Sequence, residues 1–132
     1  MYDDEPIEET DLDFEIAFYE GLIRKKPDFA EALKALGDLY TKKGFTEKGL
    51  QVDEHLSQLE PANPVVLYNL ACSYSLLNQT DKALRSIKRA IKCGYHDFEH
   101  IKEDKDLDNL RKDGRFTRYL LRVEKKIKEE IV

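Results

Sequence analysis

The sequence predicts an all-α chain: an antiparallel helix-pair solenoid, or α–α superhelix, closed by a C-terminal capping helix. Three observations carry that prediction. The first is a 34-residue period. Leu33-x-x-Leu36-Gly37-x-x-Tyr40 returns as Leu67-x-x-Leu70-Ala71-x-x-Tyr74, Gly44 falls on Asn78, Thr46 on Thr80 and Leu50 on Leu84. Such a period marks a helix–turn–helix unit written in tandem. The second is that apolar residues within each copy recur three and four positions apart, the spacing of one helix face. The third is punctuation: Pro27 and Pro61 stand one period apart, and Gly44 and Gly94 fall where helices should stop.

Taken in order, residues 1–10 read as a disordered acidic lead-in. A helix is expected from Asp11, capped by Thr10, to Lys26, where Pro27 disfavours helical geometry in the residue before it. Leu12, Ile16, Tyr19 and Ile23 form one apolar stripe on it, and Phe14, Phe18 and Leu22 form another. Aligned on Pro27, it fills the second-helix place of a half repeat (11–27) whose first helix is missing. One stripe therefore faces water unless the lead-in, a second copy or another domain covers it.

The first full repeat (30–63) opens with Asp28-x-x-Glu31, a capping-box pattern, and its first helix ends at Gly44. Thr46 is expected to cap the second helix, Glu47 to Leu59. Gly49 lowers that helix's propensity by about 1 kcal/mol relative to alanine, and Asp53 is expected to face water or pair with a neighbouring base. The second repeat (64–97) starts with Asn63 as N-cap and Pro64 in the first turn, continues from Thr80 and stops at Gly94. Residues 98–132 form a degenerate closing segment. Asp97 caps a short helix through Phe98 and Ile101, and a last helix carries Phe116, Leu120, Val123, Ile127 and Ile131 on one stripe. Its outer face of Arg118, Arg122, Lys125 and Lys126 suits a terminal cap, which needs a polar exterior. Residues 11–132 thus read as a single domain.

Charge is uneven along the chain, whose net is −5. Residues 1–15 hold eight acidic and no basic side chains, while residues 111–132 hold eight basic against four acidic. The two ends are therefore either solvated faces or mutually attractive surfaces, within or between chains. Nucleic acid is disfavoured, since the repeat body is not basic. The absence of a long apolar run argues against a membrane span, and the acidic Met1–Glu9 stretch does not read as a secretory leader. Cys72 and Cys93 are too few for a disulfide framework. The cytoplasm is the expected compartment.

No motif in the chain carries catalysis: G-x-S-x-G, a phosphate loop, HExxH and a dinucleotide fingerprint are all missing. An enzyme is not expected, and neither is a cofactor. Asp104-x-Asp106-x-Asp108 opens like a calcium loop, but Asn109 replaces the required glycine and Arg115 the bidentate glutamate. Cys93-x-x-His96-x-x-x-His100 offers three soft-metal donors without a fourth, and Asp97 starts a helix between the histidines. No metal site is expected.

The repeated residues resemble the tetratricopeptide-repeat (TPR) family, and the closing segment is similar to that of many small bacterial TPR proteins, with Lys105 and Gly114 where prolines are common. The resemblance implies a non-catalytic scaffold or adaptor that holds a protein or peptide segment in a concave groove lined by the first helix of each repeat. It places Lys34, Asp38, Thr41 and Lys42, with Ala35, on the groove in the first repeat. In the second it places Tyr68, Asn69, Cys72 and Leu76 there, with Val65 and Ser75. Tyr68 and Leu76 would be the apolar anchor, unless Tyr68, Cys72 and Leu76 instead pack against residues 98–116. Lys34 and Asn69 match the carboxylate grip of TPR co-chaperones, but Asp38, Glu99 and Glu103 would repel a terminal carboxylate. The alternative is a structural module that forms a homodimer through the 11–26 helix.

Overall fold

The computed structural model describes the backbone of residues 7–131 and side chains from Asp11 onward. Residues 1–6 of the expected lead-in (1–10) lie outside the described residues, and residues 7–10, expected to be disordered, are helical. Among those described, regular structure is entirely helical. Contacts divide the chain into two compact units, one ending at Leu59 and one beginning at Glu60.

The first unit contains α1 (Ile7–Lys25), α2 (Ala30–Lys43) and α3 (Thr46–Leu59). The first helix begins at Ile7 rather than Asp11, so Thr10 lies inside it rather than at its N-cap position. Extending an existing helix costs little per residue, and nothing in residues 7–10 is a proline or glycine to oppose it. Ile16 is buried, with Leu12, Tyr19 and Ile23 partly covered, while Phe14 and Phe18 stay exposed. The Asp28 capping box does not form: Phe29 holds the N-cap position without a side-chain bond, and Asp28 Oδ1 lies 2.9 Å from His55 Nε2.

Small residues set the approach of α2 and α3. A Cβ added at Gly37 would stand 3.4 Å from Val52 Cγ1 and 3.5 Å from Asp53 Oδ1. Asp53, expected to face water or pair with a base, is instead buried against α2.

The second unit contains α4 (Pro64–Leu76), α5 (Thr80–Lys92), α6 (Phe98–Glu103), a 3-10 turn at Lys105–Leu107, α7 (Asp108–Arg111) and α8 (Gly114–Ile131). Asn63 caps α4 as expected, accepting from Val65 N at 2.9 Å and Val66 N at 3.3 Å. The helix is covered on nearly every side, by α5 and by the segment from the 3-10 turn to α7. Ala83 and Ala90 are fully buried and let α5 approach it closely. Ile101, Leu107, Leu110 and Phe116 are also fully or almost fully buried. Each such side chain contributes about 1.5–3 kcal/mol relative to exposure.

The period seen in the sequence is repeated in the hydrogen bonds. Leu33 N donates to Phe29 O, Leu67 N to Asn63 O and Ile101 N to Asp97 O, each pair one period on from the last. Phe45 N donates to Tyr40 O and Gln79 N to Tyr74 O, closing Schellman turns through left-handed Gly44 (φ 82°) and Asn78 (φ 59°). Asparagine tolerates that conformation better than most residues. These tight turns put Phe45 and Gln79 in the N-cap positions of α3 and α5, so Thr46 enters the first turn of α3 instead of capping it, while α5 starts at Thr80 as expected.

Candidate functional site

On α2, the predicted groove residues Asp38, Thr41 and Lys42 are exposed and Lys34 is half-buried. Thr41 Oγ1 donates to Gly37 O at 3.1 Å, which ties that hydroxyl to its own helix. Lys34 Nζ lies 3.8 Å from Glu31, one turn earlier. The resulting surface is polar and of mixed sign.

On α4 the expected surface splits. Val65, Asn69 and Leu76 are exposed, and their spacing puts them along one stripe. Tyr68, Cys72 and Ser75 are buried, so Tyr68 is not the exposed anchor the groove reading assigns it. The closing segment covers them, and Asp104 is the reason. Tyr68 Oη donates to Asp104 Oδ2 at 2.6 Å, His100 Nε2 lies 3.2 Å from the same oxygen, and Cys72 Sγ lies 3.8 Å from it. Asp104 Oδ1 meanwhile accepts from Asp106 N at 3.0 Å, which starts the 3-10 turn. The Tyr68 ring stacks on Tyr95 with centroids 4.1 Å apart. Farther along α4, Ser75 Oγ accepts from Leu110 N at 3.1 Å and Ser75 O from Asn109 Nδ2 at 3.0 Å. Burial first, and then the bond to Asp104, push the Tyr68 phenol far above its ordinary range.

This cluster brings Cys72 Sγ and carboxylate oxygens of Asp104 and Asp106 within 4.8 Å of one another, a set that could ligate a cation. Both Asp104 oxygens already accept hydrogen bonds, Oδ2 from Tyr68 of α4 and Oδ1 from the Asp106 amide within the closing segment. The Asp106 carboxyl is pushed up by desolvation, then by the charges of Asp104 and Asp108, with His100 acting in the opposite direction. The soft-metal pattern is dispersed: Cys93 is exposed, His96 Nε2 lies 3.1 Å from Ile91 O, and His100 turns to Asp104. Arg115, read against a calcium loop, pairs with Asp81 at 2.6 Å and Asp113 at 2.8 Å.

Sequence reasoning missed a groove of about 820 Å³ on α8, lined by Lys102, Leu121, Glu124, Lys125 and Lys128. Leu121 is 64% exposed there. Glu124 is buried between Lys102 (2.9 Å) and Lys128 (2.8 Å), and their hydrogen bonds, Lys128 first, hold its carboxyl below the usual range. The signal was present as Glu124 on the inner side of an otherwise apolar stripe.

Comparison with known proteins follows the fold. No family model matches the chain. Two solved structures align over most of it: MamA, at a TM-score of 0.67 and 19% identity over 83% of this chain and 67% of that one, and MamA 41-end from Desulfovibrio magneticus RS-1, at 0.65 and 14% over 89% and 68%. MamA is a TPR-repeat protein, and the fold here is all-α of the TPR helix-pair type. In sequence, the chain is 37% identical over 99 residues to a chloroplastic protein of Arabidopsis thaliana. That match takes in 71% of this chain and 30% of the plant protein's length. No helix among the described residues is long and apolar enough to cross a membrane.

Proposed function

We propose that this chain is a non-catalytic protein-interaction scaffold or adaptor that holds a polypeptide segment against the first-helix faces of its repeats. The observation that carries the reading is the stripe on α4, where Val65 and Leu76 are 55% and 38% exposed on either side of Asn69. Two aliphatic side chains around an amide offer apolar contact and a hydrogen-bonding register for an extended or helical peptide. Lys34, Asp38, Thr41 and Lys42 give α2 a separate polar contact surface. The TPR-type fold and the lack of any catalytic motif support the same class, and the proposed location is the cytoplasm.

Tyr68 is buried. Truncating it would strip α4 of its cover, whereas Val65→Asp with Leu76→Asp alters only exposed positions. Affinity capture from the native host, read by mass spectrometry, should lose its retained proteins with that double variant while the melting temperature holds. Retention of the same proteins at wild-type levels would overturn the α4 surface.

A further inference from the structure

Neither metal-like pattern of the sequence holds a complete donor set by itself. The fold joins part of each. The turn after α6 carries Asp104 and Asp106 of the acidic pattern, α6 brings His100 of the soft-metal pattern, and α4 supplies Cys72, which belongs to neither. Cys72 is buried, and its Sγ lies 3.8 Å from Asp104 Oδ2, while His100 Nε2 lies 3.2 Å from the same oxygen. Metal–ligand bonds of about 2.0–2.3 Å at tetrahedral angles set neighbouring ligand atoms about 3.3 Å apart for nitrogen and oxygen, and about 3.6 Å apart for sulfur and oxygen. Both measured edges lie close to those values. A hydrogen bond accounts for the His100 edge, but nothing of that kind accounts for Asp106. Among the described residues its partly buried carboxylate accepts no hydrogen bond and pairs with no lysine or arginine; the like charges of Asp104 and Asp108 stand beside it, with only His100 opposing them. A carboxylate so placed is stabilised by a cation.

We propose that Cys72, His100, Asp104 and Asp106 form a four-coordinate site for a zinc-type divalent ion. One thiolate, one imidazole and two carboxylates make a borderline-soft donor set, which suits Zn²⁺ and disfavours Ca²⁺ and Mg²⁺, whose ligands are oxygens. Binding replaces the Cys72 thiol proton with the metal and releases that proton to solvent. Asp104 has lone pairs to spare beyond the two hydrogen bonds it accepts. Tyr68 Oη, donating to Asp104 Oδ2 at 2.6 Å, orients that carboxylate as an outer partner of the site. Arg111 holds the backbone between α6 and the turn, donating at 2.8 Å to both Ile101 O and Asp104 O. The ion joins α4, α6 and the 3-10 turn, so its binding stabilises the closing segment on the last repeat. This site is separate from the exposed Val65, Asn69 and Leu76 stripe and does not depend on a partner there.

Cobalt(II) is the probe, because it adopts zinc's geometry and reports its ligands by absorption. The full chain, untagged and stripped with a chelator, should bind Co²⁺ one to one, with the intense visible bands of four-coordination and a near-ultraviolet thiolate-to-cobalt band. Zn²⁺ should displace the cobalt, and excess Zn²⁺ should raise the melting temperature of the stripped chain in a concentration-dependent way. Asp106→Asn should weaken Co²⁺ binding by about tenfold or more, with the metal-free melting temperature unchanged, since the charge it removes has no partner. Cys72→Ser should abolish the thiolate band, whereas Cys93→Ser, which alters an exposed thiol outside the site, should keep it. No one-to-one Co²⁺ binding, wild-type affinity in Asp106→Asn, or a thiolate band lost with Cys93 overturns the proposal. The Asp106 and Cys93 arms do not rely on a variant of the buried core folding.

Discussion

Asp104 decides the fate of the α4 face. Its carboxylate meets His100 and the amide of Asp106 within the closing segment and accepts from Tyr68, the bond by which it holds α4. Tyr68→Phe removes one hydrogen bond to a charged acceptor and should destabilise the protein by about 1–3 kcal/mol, measured by urea unfolding at neutral pH. The pH dependence has a definite sign. The folded state holds the Tyr68 proton well above the ordinary value of 10.0, which the unfolded chain follows, so this group's stabilisation is present below pH 10 and lost as pH rises beyond it. The gap between wild type and Tyr68→Phe should narrow in that range. Tyr40, Tyr95 and Tyr119 are also raised, so the variant should still lose stability in alkali, less steeply. A constant gap from pH 7 to 11 would remove this role.

At the scale of elements, periodicity and turn chemistry were readable because both are local. Leu33, Leu36 and Tyr40 lie on a buried face, Asn63 caps α4, and Gly44 and Gly94 stop helices in the left-handed conformation. The failures share a cause. Thr46 and the Asp28 box read as caps by type, but the Schellman turn before α3 and the short turn before α2 leave other residues at those positions. The exposed face expected on α4 was half legible: Val65, Asn69 and Leu76 are exposed, whereas Tyr68 and Cys72 lost their exposure to a residue 36 and 32 positions away. A period cannot report a partner outside itself. Gly49 offers a test within one helix. A Cβ there would meet Thr41 Oγ1 and Tyr40 Cβ at 3.8 Å, ordinary contact distance, so Gly49→Ala should raise stability by up to about 1 kcal/mol in thermal or chemical unfolding.

For the molecule as a whole, the second unit has a core of its own: α4 is covered by α5, the 3-10 turn and α7, and Phe116 of α8 is 1% exposed. Residues 60–132 expressed alone should therefore be helical by circular dichroism and unfold in one cooperative transition; a fragment that melts without cooperativity would refute that independence. The hydrogen bond from Ile101 N to Asp97 O also has a consequence for the length of the array. It repeats the start of α2 and α4 in phase, so the closing segment enters as though a third repeat were beginning and diverges only at Asp104. A 34-residue insert between Gly94 and Asp97 would present the same left-handed turn and the same helix start to both of its neighbours. An insert of any other length would put one of those junctions out of step. The chain can thus be lengthened in whole quanta ahead of its terminator, as a sentence gains clauses before its full stop.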